Sequence, residues 1–342
     1  MPNTTLSEWE HPDSGAMSGK QLPVVAQLRA LADQPEAAVQ LAVSILEGEH
    51  GKDVLLAALK VLTEHPTDAA RPALRRLYER YSRDKGRHDQ GGYFRRAVLD
   101  ALRPVARPAD AGWLAQACMT YEFWPPDFAE DAVLIRAAAL VALVEVDEEA
   151  ARHHAARLLV DPFTARMTGE PAVSAARVLG ALGETLPLYL IACQTMPHDR
   201  VTGSAAVATV FPEVTAECLR QLTALPRSLV EPLLEGYAAT ASSVIRMGLF
   251  DLLLNHAEGP LGRAYLARFL EETTDADIYR YLVMSIVLAG REEPLHDLRQ
   301  AAYRERRRAK QEILLEAATI LAHRVEFAEL AAHLRLAIRR QL

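Results

Sequence analysis

The sequence predicts an all-α fold, an α-solenoid in which short helix pairs stack side by side along the chain. Three observations predict it. A phrase of the form Leu-x-Ala/Val-Leu recurs at steps of 40, 41 and 39 residues. Apolar residues keep a three-four spacing from Leu22 onward, which is the period of an amphipathic helix. Only 6% of the residues are aromatic, so small side chains let helices approach closely.

The repeated phrase marks the unit of this fold. One unit is too small to bury its own apolar face, so neighbouring units must share one continuous core. We therefore expect Leu99, Leu140 and Leu179 to be almost completely buried, each in the second helix of its unit. The phrase occupies residues 59–62, 99–102, 140–143 and 179–182.

Prolines and acidic caps divide the chain into candidate helices. Proline lacks an N–H and clashes with the preceding turn, but it suits the first position of a helix. Asp147 and Asp275 stand where an N-cap side chain accepts free backbone amides. Helix boundaries are therefore predicted at Pro66, Pro108, Pro162, Pro212 and Pro226.

Residues 1–21 are polar and rich in Ser, Thr, Gly and Pro, so we expect a flexible N-terminal tail there. The periodic segments follow this tail. We expect helix over more than about 65% of the residues and no sheet. The predicted helices are 23–32, 36–47, 52–63, 68–82, 93–104, 109–120, 132–145, 147–159, 171–182, 184–194, 198–210, 213–224, 228–239, 242–255, 260–271, 276–289, 293–303, 306–322 and 326–340.

Three segments resemble the HEAT repeat, an armadillo-type helix pair. Residues 158–162 end in Asp-Pro, and 171–183 form an Ala-rich helix that carries Arg177. Residues 133–143, with Arg136 and three alanines, look similar. The resemblance implies a right-handed solenoid with inner and outer helix layers, but it implies nothing about the ligand.

The resemblance also sets the expected domain organisation. A single HEAT-like solenoid is expected over 22–342, most regular over 36–183 and degenerate over 212–342, where helix pairing is ambiguous. The sequence leaves the oligomeric state open.

Charge and composition restrict the function classes. The net charge is −7, but 71–107 carry 11 basic and 4 acidic residues, whereas 108–290 carry 12 and 23. This acidic middle argues against general nucleic-acid binding. No signal peptide and no membrane-spanning segment is recognised, so we expect a cytoplasmic protein without a membrane partner. The preference for arginine over lysine suggests a bacterial genome.

Catalytic and cofactor signals are weak. His153 and His154 are adjacent, so on a helix they diverge by about 100° and cannot chelate one metal. The three cysteines are widely spaced and are expected to be reduced and buried. The phosphate-loop, metalloprotease and nucleophile-elbow motifs are absent. We expect no metal, no cofactor and, on balance, no enzyme.

Three consecutive units carry unusually long connections between their first and second helices, at 82–92, 121–131 and 161–170. Connections in helical arrays usually take two to eight residues. Equivalent connections of adjacent units lie on one edge, so we expect a contiguous ridge that binds a partner protein. The predicted partner-binding residues are Tyr121, Phe123, Trp124, Asp127, Phe128, Phe163 and Arg166.

The middle connection is the most distinctive. Four of the 21 aromatic residues of the chain fall within 121–128, beside Pro125-Pro126, which stiffen the backbone. If exposed, they are interface anchors, Trp124 above all. The alternative, that they fold inward and fill a gap between repeats, stays open.

The first connection is basic and follows a basic helix. It offers an anion-binding patch, although its arginines can instead pair with neighbouring carboxylates on a solvated face. The run 304–310 is a second basic segment for which a solvated surface is the simpler interpretation. The candidate anion-binding residues are Arg83, Lys85, Arg87, His88, Arg95 and Arg96.

The sequence therefore predicts a non-catalytic binding scaffold or adaptor. One enzymatic alternative is kept, because alkylpurine DNA glycosylases with HEAT-like repeats are similar in using tryptophans, an aspartate and a cationic groove. In this chain Trp113, Trp124, Asp127 and Asp131 stand for those roles. The identity of the partner and its pathway cannot be predicted from these residues.

Overall fold

In a computed structural model, the described residues are 22–126, 128–194, 196 and 211–340. The fold is all-α, with 18 α-helices over this part of the chain and 73% helix. The chain divides into two compact units, of which the first ends at Val146 and the second begins at Asp147. The predicted tail over 1–21 and the predicted helix over 198–210 lie outside the described residues.

The described part of the first unit holds seven α-helices. Helices α3, α5 and α7 contact one another in series, and α2 contacts α4. Each odd-numbered helix from α3 also packs against the even-numbered helix that precedes it. The helices are α1 Leu22–Ala30, α2 Pro35–Glu47, α3 Lys52–Glu64, α4 Arg71–Ser82, α5 Tyr93–Leu102, α6 Ala111–Ala117 and α7 Val133–Val144.

The second unit holds eleven helices among the described residues. Here α9, α11 and α13 pack against the even-numbered helix that precedes each of them, whereas α15 and α17 pack against the one that follows. Odd-numbered helices from α9 to α17 contact one another in series, as do α14, α16 and α18. The helices are α8 Glu148–Leu159, α9 Ala172–Ala181, α10 Thr185–Gln194, α11 Pro212–Gln221, α12 Arg227–Tyr237, α13 Ser243–Asn255, α14 Arg263–Glu272, α15 Ala276–Ala289, α16 Glu292–Arg304, α17 Arg308–Ile320 and α18 Val325–Arg339.

The odd-numbered helices begin at two different spacings. From α3 to α11 successive starts lie 41, 40, 39 and 40 residues apart, whereas from α11 to α17 they lie 31, 33 and 32 residues apart. The repeat therefore shortens after Pro212. This change explains why a 40-residue phrase is visible only in the first part of the sequence.

The leucines of the repeated phrase lie in the core, as predicted. Leu99 in α5, Leu140 in α7 and Leu179 in α9 each have 0% exposure. Helices α5 and α7 contact each other in the first unit, and α9 contacts α11 in the second. The apolar faces are thus buried by neighbours rather than within one helix pair.

Polar contacts within each unit follow the same step. Arg71 on α4 donates to Asp110, 39 residues away, with its Nε 2.7 Å from Oδ2. In the second unit, Arg177 on α9 lies 3.2 Å from Glu217 on α11, 40 residues away. Side chains one repeat apart along the chain are therefore neighbours in space.

The predicted caps are present. Asp147 accepts a hydrogen bond from Ala150 N at 2.9 Å, and Asp275 accepts from the backbone N–H of Asp277 and Ile278 at 3.0 and 3.1 Å. These carboxylates satisfy amides that the helix itself leaves free.

The prediction of no sheet is wrong. The connection between α6 and α7 forms a small antiparallel hairpin of β1, Phe123–Trp124, and β2, Ala129–Glu130. Phe123 pairs with Glu130 and Trp124 with Ala129. Strands of two residues leave no alternation to detect in the sequence, so helical periodicity could not reveal them.

Candidate functional site

The connection after α4 is ordered by one buried carboxylate. Residues 83–92 form two short 3₁₀ turns, and Asp89 between them is 3% exposed. Its oxygens accept hydrogen bonds from the N–H groups of Phe94 and Arg95, both at 2.9 Å. Asp89 therefore caps α5, where the positive end of the helix dipole favours a carboxylate. Gly91 has φ +79°, a conformation that glycine permits.

Arg95 joins this connection to the next one. Its guanidinium is 1% exposed and lies 3.0 Å from Asp89, and it donates two hydrogen bonds to Glu122 at 2.6 and 2.7 Å. Burial opposes the charge, but the hydrogen bonds to Glu122 and Asp89 outweigh it, so the pKa of Arg95 is raised. A paired, bidentate geometry of this kind makes a buried charge tolerable.

Arg136 holds the base of the hairpin in the same way. Its side chain is fully buried and donates to Thr120 O at 2.8 Å and to Glu130 at 2.9 Å. Its guanidinium also lies 4.2 Å from the centre of the Tyr121 ring. The arginine that resembles the HEAT pattern thus fixes the two ends of the hairpin.

A direct contact completes the junction between the two connections. Gly91 N donates to the carboxylate of Asp131, 40 residues later. Together with the Arg95–Glu122 pair, this contact places 83–92 and 121–131 side by side, as the spacing predicted. We call their exposed residues the joined-loop surface.

The aromatic residues of the hairpin divide into an exposed and a half-buried pair. Phe128 is 64% exposed and Phe123 is 43% exposed. Tyr121 is half-buried on Arg136, and Trp124 is half-buried with its Nε1 out of contact with solvent. Asp127 lies outside the described residues. The joined-loop surface therefore presents two phenylalanines, while Trp124 is partly packed.

Phe128 also has an unusual backbone. Its φ is +53°, in the left-handed region that residues other than glycine rarely adopt. Such a conformation costs about 1–2 kcal/mol in an L-residue. Phe128 therefore presents an exposed ring from a backbone conformation that carries an energetic cost.

The predicted anion-binding residues do not act as one group. Arg95 is buried between two carboxylates, and Arg96 lies 3.5 Å from Asp100. Arg83, Arg87 and His88 are exposed. The side chain of Lys85 lies outside the described part of the chain. The cationic surface that remains is smaller than the charge count suggests.

The third predicted connection belongs to the second unit. Asp161 orders it by accepting from Phe163 N at 2.9 Å, and Phe163 is 43% exposed. Arg166 is exposed and lines a cavity of about 440 Å³ beside α10 and α11. Phe163 and Arg166 thus lie on one ordered loop of that unit.

A cavity of about 490 Å³ between α4 and α6 was not predicted. Tyr78 and Trp113 form its aromatic wall, in an edge-to-face pair with ring centres 4.8 Å apart. Burial raises the pKa of Tyr78, so its hydroxyl stays protonated. Sequence patterns could not reveal this cavity, because Tyr78 and Trp113 lie on different helices and share no motif. Its other lining residues include Arg75, Ser82, Arg83, Gln116, Thr120 and Glu122.

No candidate catalytic centre emerges from the described residues. Among residues 22–126, 128–194, 196 and 211–340, no three His, Cys, Asp or Glu side chains are arranged to hold a metal ion. Cys118, Cys193 and Cys218 are reduced, and burial raises the pKa of Cys218 to about 12. Of the residues named for the glycosylase alternative, Trp113 lines the cavity, and Asp131 accepts a backbone hydrogen bond.

Comparisons with known proteins add little. No protein-family model matches the chain, and no curated protein matches it. One solved structure, of an engineered protein, is 14% identical over 93% of this chain and 83% of its own, with a TM-score of 0.37. A likeness of that size carries no argument about fold or function. Within the described residues, no helix has both the length and the apolar character needed to cross a membrane.

Proposed function

We propose that this protein is a non-catalytic scaffold that binds a partner protein through the joined-loop surface. The observation that carries the proposal is the ordering of 83–92 and 121–131 by buried ion pairs. Arg95 and Arg136 are almost fully buried, whereas Phe123 and Phe128 are exposed. Exposed aromatic residues on a rigid support are typical of interface anchors.

The architecture we propose for this scaffold is a right-handed HEAT-like solenoid. The 39 to 41 residue spacing of the odd-numbered helices from α3 to α11 supports it. So do the serial contacts of those helices within each unit. The third connection, with Phe163 and Arg166, is a separate candidate binding loop in the second unit.

Co-purification with matched variants tests the function. We expect the intact protein to retain a defined partner, and Phe123→Ser/Phe128→Ser to lose it with an unchanged melting temperature. Leu288→Ser is the control, because Leu288 is an 86% exposed apolar residue in the second unit. Equal retention by all three proteins would contradict the proposal.

Trp124→Ala tests which aromatic residue anchors the partner. If Trp124 is the hot spot, its loss weakens binding by about 2 kcal/mol or more and leaves the melting temperature nearly unchanged. If it packs the hairpin, stability falls and binding survives. The half-buried position of Trp124 makes Phe123 and Phe128 the stronger anchors.

The DNA-glycosylase alternative stays a prediction, and no described contact favours it over the scaffold. It requires binding to duplex DNA with affinity that falls steeply as salt rises. It also requires that Asp131→Asn stop base release. A filter-binding measurement with duplex DNA at low salt decides between the two classes. The glycosylase alternative requires that the protein retain DNA on the filter, and absence of retention removes it.

A further inference from the structure

The cavity between α4 and α6 adjoins the joined-loop surface. Thr120 and Glu122 line it, and the next residue, Phe123, begins the hairpin. Ser82 and Arg83, at the other side, lead into 83–92. A chain segment bound on the hairpin can therefore continue into the cavity. Its volume of about 490 Å³ falls within the range of sites that enclose ligands.

Among the described residues, the charges that line the cavity leave one cation without an ion-pair partner. Glu122 is held by Arg95 at 2.6 Å, and Arg75 pairs with Glu79 at 3.2 Å. Arg83 is exposed, and no carboxylate of the described residues lies within ion-pair distance of it. The cavity is therefore suited to a ligand that brings one negative charge.

The rest of the lining suits a flat or bulky apolar group. Trp113 is half-buried, so part of its indole remains accessible beside Tyr78. Gln116, on the helix that carries Trp113, offers an amide group that matches the hydrogen-bonding groups of a peptide backbone. An apolar side chain on Trp113 and a carboxylate on Arg83 would use both ends of the cavity.

We propose that this cavity binds an acidic peptide segment, with a carboxylate on Arg83 and a neighbouring aromatic side chain against Trp113. This inference rests on the proposed function, because it assigns the segment to the partner protein. Most arginines of 71–107 are paired with carboxylates, but Arg80 and Arg87 are exposed like Arg83 and lie within four residues of it in the sequence. The positive charge of these three side chains favours an acidic partner.

Two blocked dipeptides test the chemistry on the intact protein. The probes are N-acetyl-Phe-Glu-amide and N-acetyl-Phe-Gln-amide, which differ in one charge. Binding is followed by the indole N–H signal of Trp113 in NMR spectra, assigned with Trp113→Phe. We expect the acid to shift this signal with millimolar affinity, as small ligands do, and the amide to bind about fivefold more weakly.

Matched variants identify the charge that binds. Arg83→Gln is expected to bring the acid down to the affinity of the amide. Arg87→Gln, an exposed cation of the same connection that does not line the cavity, is expected to keep the difference. Equal binding of acid and amide to the unmodified protein, or an unchanged preference in Arg83→Gln, overturns the inference.

Two further outcomes separate this inference from others. If 3-phenylpropionate binds more than tenfold tighter than the acidic dipeptide, the cavity takes a small metabolite, and the peptide assignment is wrong. If neither dipeptide binds while partner retention still depends on Phe123 and Phe128, only this inference fails. If the acidic dipeptide binds, but the partner protein is retained equally without Phe123 and Phe128, the proposed function fails instead.

Discussion

Two stretches of the chain carry equally buried helices but connect them differently. The connections from α4 to α5, α6 to α7 and α8 to α9 span 10, 15 and 12 residues. Those from α12 to α13, α14 to α15 and α16 to α17 span 5, 3 and 3 residues. Leu140 and Leu282, one from each stretch, both have 0% exposure. The core therefore does not require the longer connections.

The two stretches also differ in how their connections are held. In the first, Arg95 reaches Glu122, 27 residues away in the next connection. In the second, Arg307 in the short segment before α17 pairs with Glu305, two residues away, and donates to the backbone oxygens of Glu271 and Thr273 in the preceding repeat. A buried ion pair between repeats thus joins the first two long connections, whereas in the short ones backbone carbonyl groups accept the contact between repeats. The ordered connections expose aromatic rings and do not cover the hydrophobic core. The comparison therefore favours a role in binding for the additional residues.

The largest expected effect tests whether charge holds the long connections. Arg95→Met leaves Asp89 and Glu122 buried without their cation, which should lower the free energy of unfolding by about 3–5 kcal/mol. Arg96→Met, on the same helix but exposed, should change it by less than about 0.5 kcal/mol. Urea unfolding followed by circular dichroism measures both. Similar losses in the two variants would contradict the comparison.

The next test asks whether the core is equivalent in the two stretches. Leu140→Ala and Leu282→Ala each remove a completely buried side chain, so each should cost about 2–5 kcal/mol. Each loss is read from the unfolding transition of the unit that carries the substitution. A loss below about 0.5 kcal/mol at Leu140 would show that the repeat register is wrong. A much smaller loss at Leu282 alone would show that the shorter repeats pack more loosely.

Periodicity predicted the helices well, because each one buries a regular apolar stripe. The predicted helix over 276–289 coincides with α15, and Asp275 caps it as expected. The change of spacing after Pro212 was harder to predict. Without Asp-Pro turns, the sequence offers no fixed marker from which a shorter repeat can be counted.

The candidate site was predicted only in part. The two first connections meet, as their spacing implied, because residues one repeat apart are neighbours. The burial of Arg95 could not be predicted. A charge count does not show that Glu122, which lies 27 residues later in the sequence, is only 2.6 Å from the guanidinium of Arg95. The cavity beside Tyr78 and Trp113 depends on the separation of two helices, which single-residue patterns do not encode.

A smaller effect on stability is expected from Glu305, in the short connection before α17. Burial alone would raise the pKa of Glu305, but hydrogen bonds from the Arg307 side chain and the N–H groups of Arg306 and Arg307 lower it to about 2. The ordinary pKa of a glutamate is 4.5. The contribution of Glu305 to stability is therefore complete above about pH 4.5 and is lost as the pH falls towards 2. Since Arg307 is 44% exposed, we expect only about 1–2 kcal/mol.

Glu305→Gln measures that contribution. At pH 7 the variant should be less stable than the unmodified protein by this amount, and the difference should shrink as the pH falls from about 4.5 to 2. Glu312→Gln is the control, because Glu312 forms an exposed pair with Arg308 at 2.9 Å. A difference that stays constant over this range would show that Glu305 acts through packing and not through its charge.

The smallest expected effect compares one backbone conformation in the two stretches. Gly290, after α15, has φ +63°, and Phe128 in the hairpin has φ +53°. A Cβ at Gly290 meets no atom within 4 Å, so Gly290→Ala should cost about 1 kcal/mol through the backbone alone. Phe128→Gly relieves the same strain but adds freedom to the unfolded chain, so we expect a net gain on the order of 0.5 kcal/mol.

Phe128→Ala separates the ring from the backbone. It keeps the left-handed strain and removes a side chain that is 64% exposed, so stability should hardly change. If the ring is an anchor, Phe128→Ala and Phe128→Gly should weaken partner binding equally, although only the glycine variant gains stability. The hairpin would then retain a strained phenylalanine for binding, whereas the turn after α15 has glycine at a similar φ, which avoids the strain. Unchanged partner binding in both variants would remove Phe128 from the joined-loop surface as an anchor.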